Sequence, residues 1–254
     1  MRQNNRPDNK IREVSLELGY LEFAHSSAYI EIGKTRVIAT ASVEDKVPPF
    51  LKGSGTGWIN AEYSMLPGAT EKRNLRDRVT GRISGRSQEI QRLIGRSLRA
   101  VTDLSVLGEK TIIIDCDVIQ ADGGTRCASI TAGCVALASS LYRLMEEKII
   151  PKMPMRNLVA AVSVGIVNGQ NYLDLDYQED SNAEIDMNVV ETDTGQIVEI
   201  QATAEKRPFS WKEFTQLTEL AASGIKDLIA MQKQVLKTKS MLFIAYGQTK
   251  GDSE

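Results

Sequence analysis

The chain has 254 residues, 42% hydrophobic and 25% charged, with 31 Lys plus Arg against 33 Asp plus Glu and a formal net charge of -2. That is an ordinary globular composition, long enough for one large domain or two small ones, and the near-neutral total speaks against a strongly basic nucleic-acid binder. No apolar run approaches the ~18–20 residues of a membrane span, so no membrane partner is expected. The N-terminus, MRQNNRPDNK, lacks the apolar stretch of a secretory signal. Cys116, Cys127 and Cys134 show no CxxC spacing and read as buried free thiols in a reducing cytoplasm. His25 is the only histidine, which leaves little material for a Ser-His-Asp triad or a zinc site.

Residues 14–45 alternate β-formers with polar residues, and Gly19 and Gly33-Lys34 stand at turn positions, as in a β-meander. Residues 46–85 show no clear period and read as a long irregular segment, ordered by Trp58, Tyr63, Met65 and Leu66. Ile90, Leu93, Ile94, Leu98 and Val101 then share one helical face, and the pattern predicts a helix over 87–101 with Ser87 as its N-cap. A strand, TIIIDCDVIQ, follows, with Ile112, Ile114, Cys116 and Val118 on one face. After the loop ADGG a long helix is expected from Thr125 to Met145. The second half begins with the apolar strand LVAAVSVGIV (158–167) and an Asn168-Gly169 hairpin turn. It continues through YLDLDY, IDMNVVET, a turn at Asp193-Thr194-Gly195 and QIVEIQAT, to a helix over 210–236. Its apolar face includes Phe214, Leu217, Ala221, Ile225, Leu228 and Gln232. Strands then helices, twice over and with no linker between, imply an α+β fold of two related halves.

The charge is unevenly placed. Nine basic residues between Lys72 and Arg99 face only Asp77 and Glu89, a surplus of +7 that leaves the remainder of the chain at −9. Eight of the nine are Arg, the side chain suited to forked phosphate contacts, so the stretch reads either as a solvated helix face or as a stripe for a polyanion. Asp122-Gly123-Gly124-Thr125-Arg126 joins a strand end to a helix start, where unpaired N–H groups and the helix dipole favour an anion. An ordinary glycine turn with a Thr cap remains the plainer alternative. Asp174, Asp176, Glu179, Asp180, Glu184 and Asp186 form an acidic segment that is either a solvated loop or a set of hard oxygen ligands for magnesium or manganese. Together the three features point to phosphoryl-transfer chemistry.

Several long runs resemble the ribonuclease PH family of phosphate-dependent 3′-to-5′ exoribonucleases. They are FLKGSGTGWINAEYSMLP (50–67), GRSQEIQRLIGRSLRA (85–100), DCDVIQADGGTR (115–126), LVAAVSVGIVNG (158–169) and DYQEDSNAEIDMNVV (176–190). The resemblance implies an α+β fold, a pseudo-repeat of two βαβα halves (about 1–150 and 151–236) in one compact domain over 1–236, with a tail at 237–254. It implies that Arg86, Gly124, Thr125 and Arg126 bind inorganic phosphate as co-substrate. It also implies that Asp180 and Asp186 are catalytic and hold Mg2+ or Mn2+, and that Arg73 and Arg76 guide RNA. The implied enzyme is a nucleotidyltransferase. It trims RNA 3′ ends, especially those of tRNA precursors, releases nucleoside 5′-diphosphates and runs in reverse, as a cytoplasmic homohexamer built as a trimer of dimers. The sequence departs from the family pattern at Gly68, where an Arg is expected, and at Lys206, where Gly is usual.

Overall fold

The computed structural model describes residues 2, 5–76, 79 and 81–238. Asp77 and Arg78 of the basic stretch, and the apolar run 241–246 of the tail, lie outside the described residues. Strands β1 (Val14–Leu18), β2 (Ser26–Ile32) and β3 (Thr35–Glu44) form the expected meander, with the turn at Gly33 taking φ 58°. Strand β4 (Trp58–Met65) lies in the segment read as irregular. Its Ile59, Ala61 and Tyr63 alternate inward and are buried, while Asn60, Glu62 and Ser64 face out. The period was present, but it is short and flanked by glycines.

Helix α1 (Gly85–Ala100) begins two residues earlier than expected. Ser84, not Ser87, is its N-cap, because the Ser84 hydroxyl accepts from the Ser87 N–H at 3.0 Å. Arg86 therefore stands in the first turn. Ile90, Leu93, Ile94 and Leu98 form the buried face, and α1 packs on β4. The short helix α2 (Leu104–Leu107) leads into β5 (Thr111–Gln120) and helix α3 (Thr125–Glu146). In the second half, β6 (Val159–Val167) and β7 (Gln170–Leu173) make the Asn168-Gly169 hairpin. A short helix α4 (Tyr177–Asn182) precedes β8 (Ile185–Thr192), β9 (Ile197–Ala204) and α5 (Trp211–Thr238). The acidic segment, expected as loop and turn, thus contains a helix. Asp176 caps it and exchanges hydrogen bonds with Glu179 in a capping box.

The first half runs four strands, helices α1 and α2, strand β5 and the long helix α3, and the second runs two strands, the short helix α4, two strands and the long helix α5, a mixed α and β pseudo-repeat. The strand order is β1-β2-β3-β5-β4 in one sheet, with β4 parallel to β5, and β7-β6-β8-β9 in a second, antiparallel sheet. Helix α3 packs against β2 and β3 of the first sheet and β6 of the second. That position explains its small residues: Ala128, Ala132, Gly133, Cys134 and Ala136 are buried between two close layers. By length and composition α3 is apolar enough to cross a membrane, contrary to the expectation of no such run, but it is mostly buried as the central helix of the core. Strand β6 is buried at all nine positions because α3 and α5 both pack on it. Gln232 of α5 is fully buried, and its amide donates to the Thr131 and Val159 carbonyls, tying α5 to α3 and β6. One buried apolar cluster runs through both halves. Cys116, Cys127 and Cys134 are buried free thiols within it.

Candidate active site

The Gly-Gly loop sits where β5 ends and α3 begins. Gly123 and Gly124 take φ values of 76° and 69°, a left-handed pair that only glycine adopts without strain. A side chain on Gly123 would also strike the backbone of Leu175, Asp176 and Tyr177, the closest atom being the Leu175 oxygen at 2.5 Å. The loop therefore lies directly on the start of α4, and the phosphate-loop candidate and the acidic helix are one packed unit. Thr125 is buried, and its hydroxyl is hydrogen-bonded to the Tyr63 hydroxyl at 2.8 Å. Tyr63 was named in the sequence only as a source of order. Its alternation in β4 is the signal that places it under the loop.

Arg126, one residue into α3, donates to Glu89 of α1 at 2.9 Å and to Gln201 of β9 at 2.6 Å. Those contacts hold its guanidinium over a cavity of about 830 Å³. Arg86, Arg126, Asp180, Asp186 and Asn188 all line this cavity, together with Glu205 and Lys206 at its rim. Five of the eight predicted site residues come together here or at its edge: Arg86 and Arg126 with Asp180 and Asp186 in the lining, and Thr125 beside Arg126. Gly124 is the N-cap of α3.

Arg76 lines a second cavity, of about 410 Å³, with Tyr63, Asn74, Ser84 and Arg86. Arg86 is common to both, so the two spaces adjoin at that side chain. Arg73 is exposed and lines neither. The basic stretch is therefore not one continuous stripe. Arg96 pairs with Glu199 at 2.7 Å. Arg99 turns inward, donating to the Ile59 carbonyl at 2.7 Å and lying 4.4 Å over the Trp58 ring. Of the two departures from the family pattern, Gly68 has open space around it, and Lys206 donates to the Asn182 carbonyl at the end of α4.

The acidic residues divide in two. Asp174 and Glu179 are buried and enclosed by arginines from the N-terminal arm. Arg12 pairs with Asp174 at 2.7 Å, and Arg2 and Arg6 pair with Glu179 at 2.7 and 3.1 Å. Burial pushes both carboxyls up, but these arginines outweigh it and hold both below the ordinary carboxylate range. Glu184 pairs with Arg207 at 2.8 Å. Asp180 and Asp186 differ: among the described residues neither has a cation within ion-pair distance. Burial pushes Asp180 up. Burial, then the neighbouring Asp180, push Asp186 up to about 6, although Asn188 donates to it at 3.3 Å.

Two neighbouring like charges with raised affinity for a proton, one exposed at the cavity and one half-buried, also favour a divalent cation. The donor set is hard oxygen, which fits magnesium or manganese. Among the described residues no group of three or more His, Cys, Asp or Glu converges to hold a metal. Ligation at this pair would therefore be completed by water or by phosphate oxygens, the usual manner for magnesium.

Comparison with known proteins identifies the family. Domain 1 of the 3′ exoribonuclease family matches residues 10–142 and domain 2 matches residues 157–224. Ribonuclease PH of Moorella thermoacetica is 56% identical over 236 residues, 93% of this chain and 94% of that protein. Among solved structures, rice Rrp46 superposes with a TM-score of 0.74 at 19% identity, over 92% of this chain and all of the other. The Archaeoglobus fulgidus exosome with RNA bound to the active site superposes with a TM-score of 0.77 at 20% identity, over 89% and 91%. At such identities these structures speak for the fold alone. The two domain matches and the close relative decide the family, and the chain belongs to the 3′ exoribonuclease family.

Proposed function

We propose that the 830 Å³ cavity is where this 3′ exoribonuclease cleaves RNA by phosphorolysis. The observation that carries the reading is the meeting, in one cavity, of two arginines at helix starts with two neighbouring carboxylates, exposed Asp180 and half-buried Asp186, that make no ion pair among the described residues. Inorganic phosphate is the co-substrate. It is held by Arg86, Arg126 and the first N–H groups of α3 after Gly124, with Thr125 beside them. Arg73 and Arg76 guide the incoming strand, Arg76 from the lining of the adjoining cavity and Arg73 from the exposed surface outside it.

A phosphate oxygen attacks the phosphorus of the last phosphodiester, the bond to the 3′-oxygen of the penultimate nucleotide breaks, and that oxygen takes up a proton. The products are a nucleoside 5′-diphosphate and an RNA one residue shorter. Both reactants are anions, so the cationic clamp offsets their repulsion and sets an in-line approach. One phosphate bond replaces another, so the reaction runs in both directions. Asp180 and Asp186 hold Mg2+ or Mn2+, which when bound neutralises charge on the scissile phosphate or the leaving oxygen. A second reading rests on Asp186 at about 6: near neutrality a minor fraction of molecules keeps a proton on this carboxyl, and in that form it gives the leaving oxygen its proton. The preferred substrates are tRNA precursors with 3′ extensions. The enzyme works in the cytoplasm, where its three thiols stay reduced, and as a homohexamer, a trimer of dimers. Residues 1–236 act as one catalytic domain.

The test is decay of a short 3′-tailed RNA with and without phosphate, with product identification. Decay that requires phosphate and yields diphosphates is expected. Equal decay without phosphate, yielding monophosphates, overturns the reading.

A further inference from the structure

The N-terminal arm carries three arginines that the reaction as described does not use. Arg12 reaches across the fold to the Gly-Gly loop. Its guanidinium donates to the Asp122 carbonyl and, at 3.4 Å, to the Gly123 carbonyl. The same group donates to both oxygens of Asp174, at 2.7 and 2.8 Å, and the Arg12 backbone N–H donates there too, at 2.8 Å. Asp174 stands at the end of β7 with a positive φ of 56°, a conformation unfavourable for a side-chain-bearing residue and held here by its contacts. Two residues on, Asp176 caps α4, the helix that carries Asp180. From the other side, the Thr35 hydroxyl on β3 donates to the Gly123 carbonyl at 2.7 Å and accepts from the Asp122 N–H at 3.0 Å.

We propose that Arg12, Asp174 and Thr35 are positioning residues: they clamp the loop backbone of residues 122–123 and so fix the phosphate-binding N–H groups relative to the carboxylate helix. The inference rests on the phosphorolytic reading of the cavity. Its physical content is simple. Carbonyls 122 and 123 are tied into the clamp, which fixes the two peptide groups that lead into the start of α3. A loop of two left-handed glycines has many other conformations open to it, and the clamp removes them before phosphate arrives. Arg12 is the keystone because one planar fork bonds loop and acid together, which an ammonium cannot do.

The experiment compares wild type, Thr35→Val, Thr35→Ser and Arg12→Lys in steady-state phosphorolysis, with phosphate and RNA varied separately. It adds direct calorimetric binding of inorganic phosphate to the same proteins and their thermal unfolding. Thr35→Val keeps the shape and removes the hydroxyl, so folding is preserved. The expected result is a phosphate KM and Kd raised about tenfold by Thr35→Val, which removes both hydrogen bonds from the hydroxyl to the loop, with RNA KM unchanged and Thr35→Ser restoring both. Arg12→Lys should act in the same direction. A fall in melting temperature with phosphate KM and Kd as in wild type overturns the proposal and leaves phosphorolysis intact. Phosphate-independent decay by the wild type overturns the functional reading itself, whatever the variants do.

Discussion

Two pairs of carboxylates lie within thirteen residues of each other and behave in opposite ways. Asp174 and Glu179 are enclosed by Arg2, Arg6 and Arg12 and are held below the ordinary carboxylate range. Asp180 and Asp186 face a cavity without such partners and are pushed up, Asp186 to about 6. Glu179 and Asp180 are even adjacent in the chain, on different sides of a six-residue helix. The first pair is satisfied and builds the frame. The second makes no ion pair among the described residues and stays open to the cavity. Stability and chemistry are thus assigned to neighbouring residues by what each side of α4 faces.

The sharpest way to break this comparison is to neutralise one member of each pair. Asp180→Asn or Asp186→Asn should lower turnover in both directions by roughly 10²–10⁴, the range of a lost acid, base or electrostatic group. Near wild-type phosphorolysis and polymerisation would remove the pair from the chemistry. Asp174→Asn should instead destabilise the fold by about 3–5 kcal/mol, since it leaves a buried arginine uncompensated. Denaturant unfolding reads this directly. An unchanged midpoint would mean that the arginine network contributes nothing net.

The same logic predicts opposite signs for stability. The Asp186 carboxyl is held above its ordinary pKa, so in metal-free protein its contribution to stability falls as pH rises from about 4 to about 6. Asp174 and Glu179, held below theirs, contribute stability above the ordinary carboxylate range that is lost as pH falls through it. Asp186→Asn should therefore stabilise the metal-free protein at pH 7.5, by roughly 1–3 kcal/mol for a shift of this size, while it damages turnover. Equal or lower stability at every pH would refute the raised carboxyl. The smallest effect is expected at the basic surface. Arg73→Ala with Arg76→Ala should weaken RNA binding by about 1 kcal/mol and lower its salt dependence, with phosphate KM unchanged. A change in phosphate KM would place Arg76 in the clamp with Arg86.

Much of this was legible in the sequence. Alternation marked β1–β3 and β5, a continuous apolar run marked β6, the helical period marked α1 and α5, and Ala and Leu content marked α3. What escaped were β4 and the short helices α2 and α4, for different reasons. In β4 only Ile59, Ala61 and Tyr63 mark the inner face, and one of them is a small residue. In α4 six residues are too few for an apolar period, and its order comes from a capping box and from arginines more than 160 residues away. The Gly-Gly loop, Arg86, Arg126 and the acidic segment were visible as residue types at suggestive spacings. Glu89, Gln201 and the arm arginines were not, since nothing local connects them to the site.

The sequence by itself determined which chemistry is available: forked cations, a glycine loop before a helix, and carboxylates near a turn. Those are properties of covalent identity and short-range order. It could not say which carboxylates are spent on arginines and which stay open to the cavity. Nor could it say that Arg99 turns inward while Arg86 lines the site. Those outcomes depend on burial and on partners brought from distant parts of the chain, because a charge is set by everything packed around it. The net charge of -2 is such a sum. Only the tertiary structure separates the charges that cancel inside the frame from those left to act in the cavity.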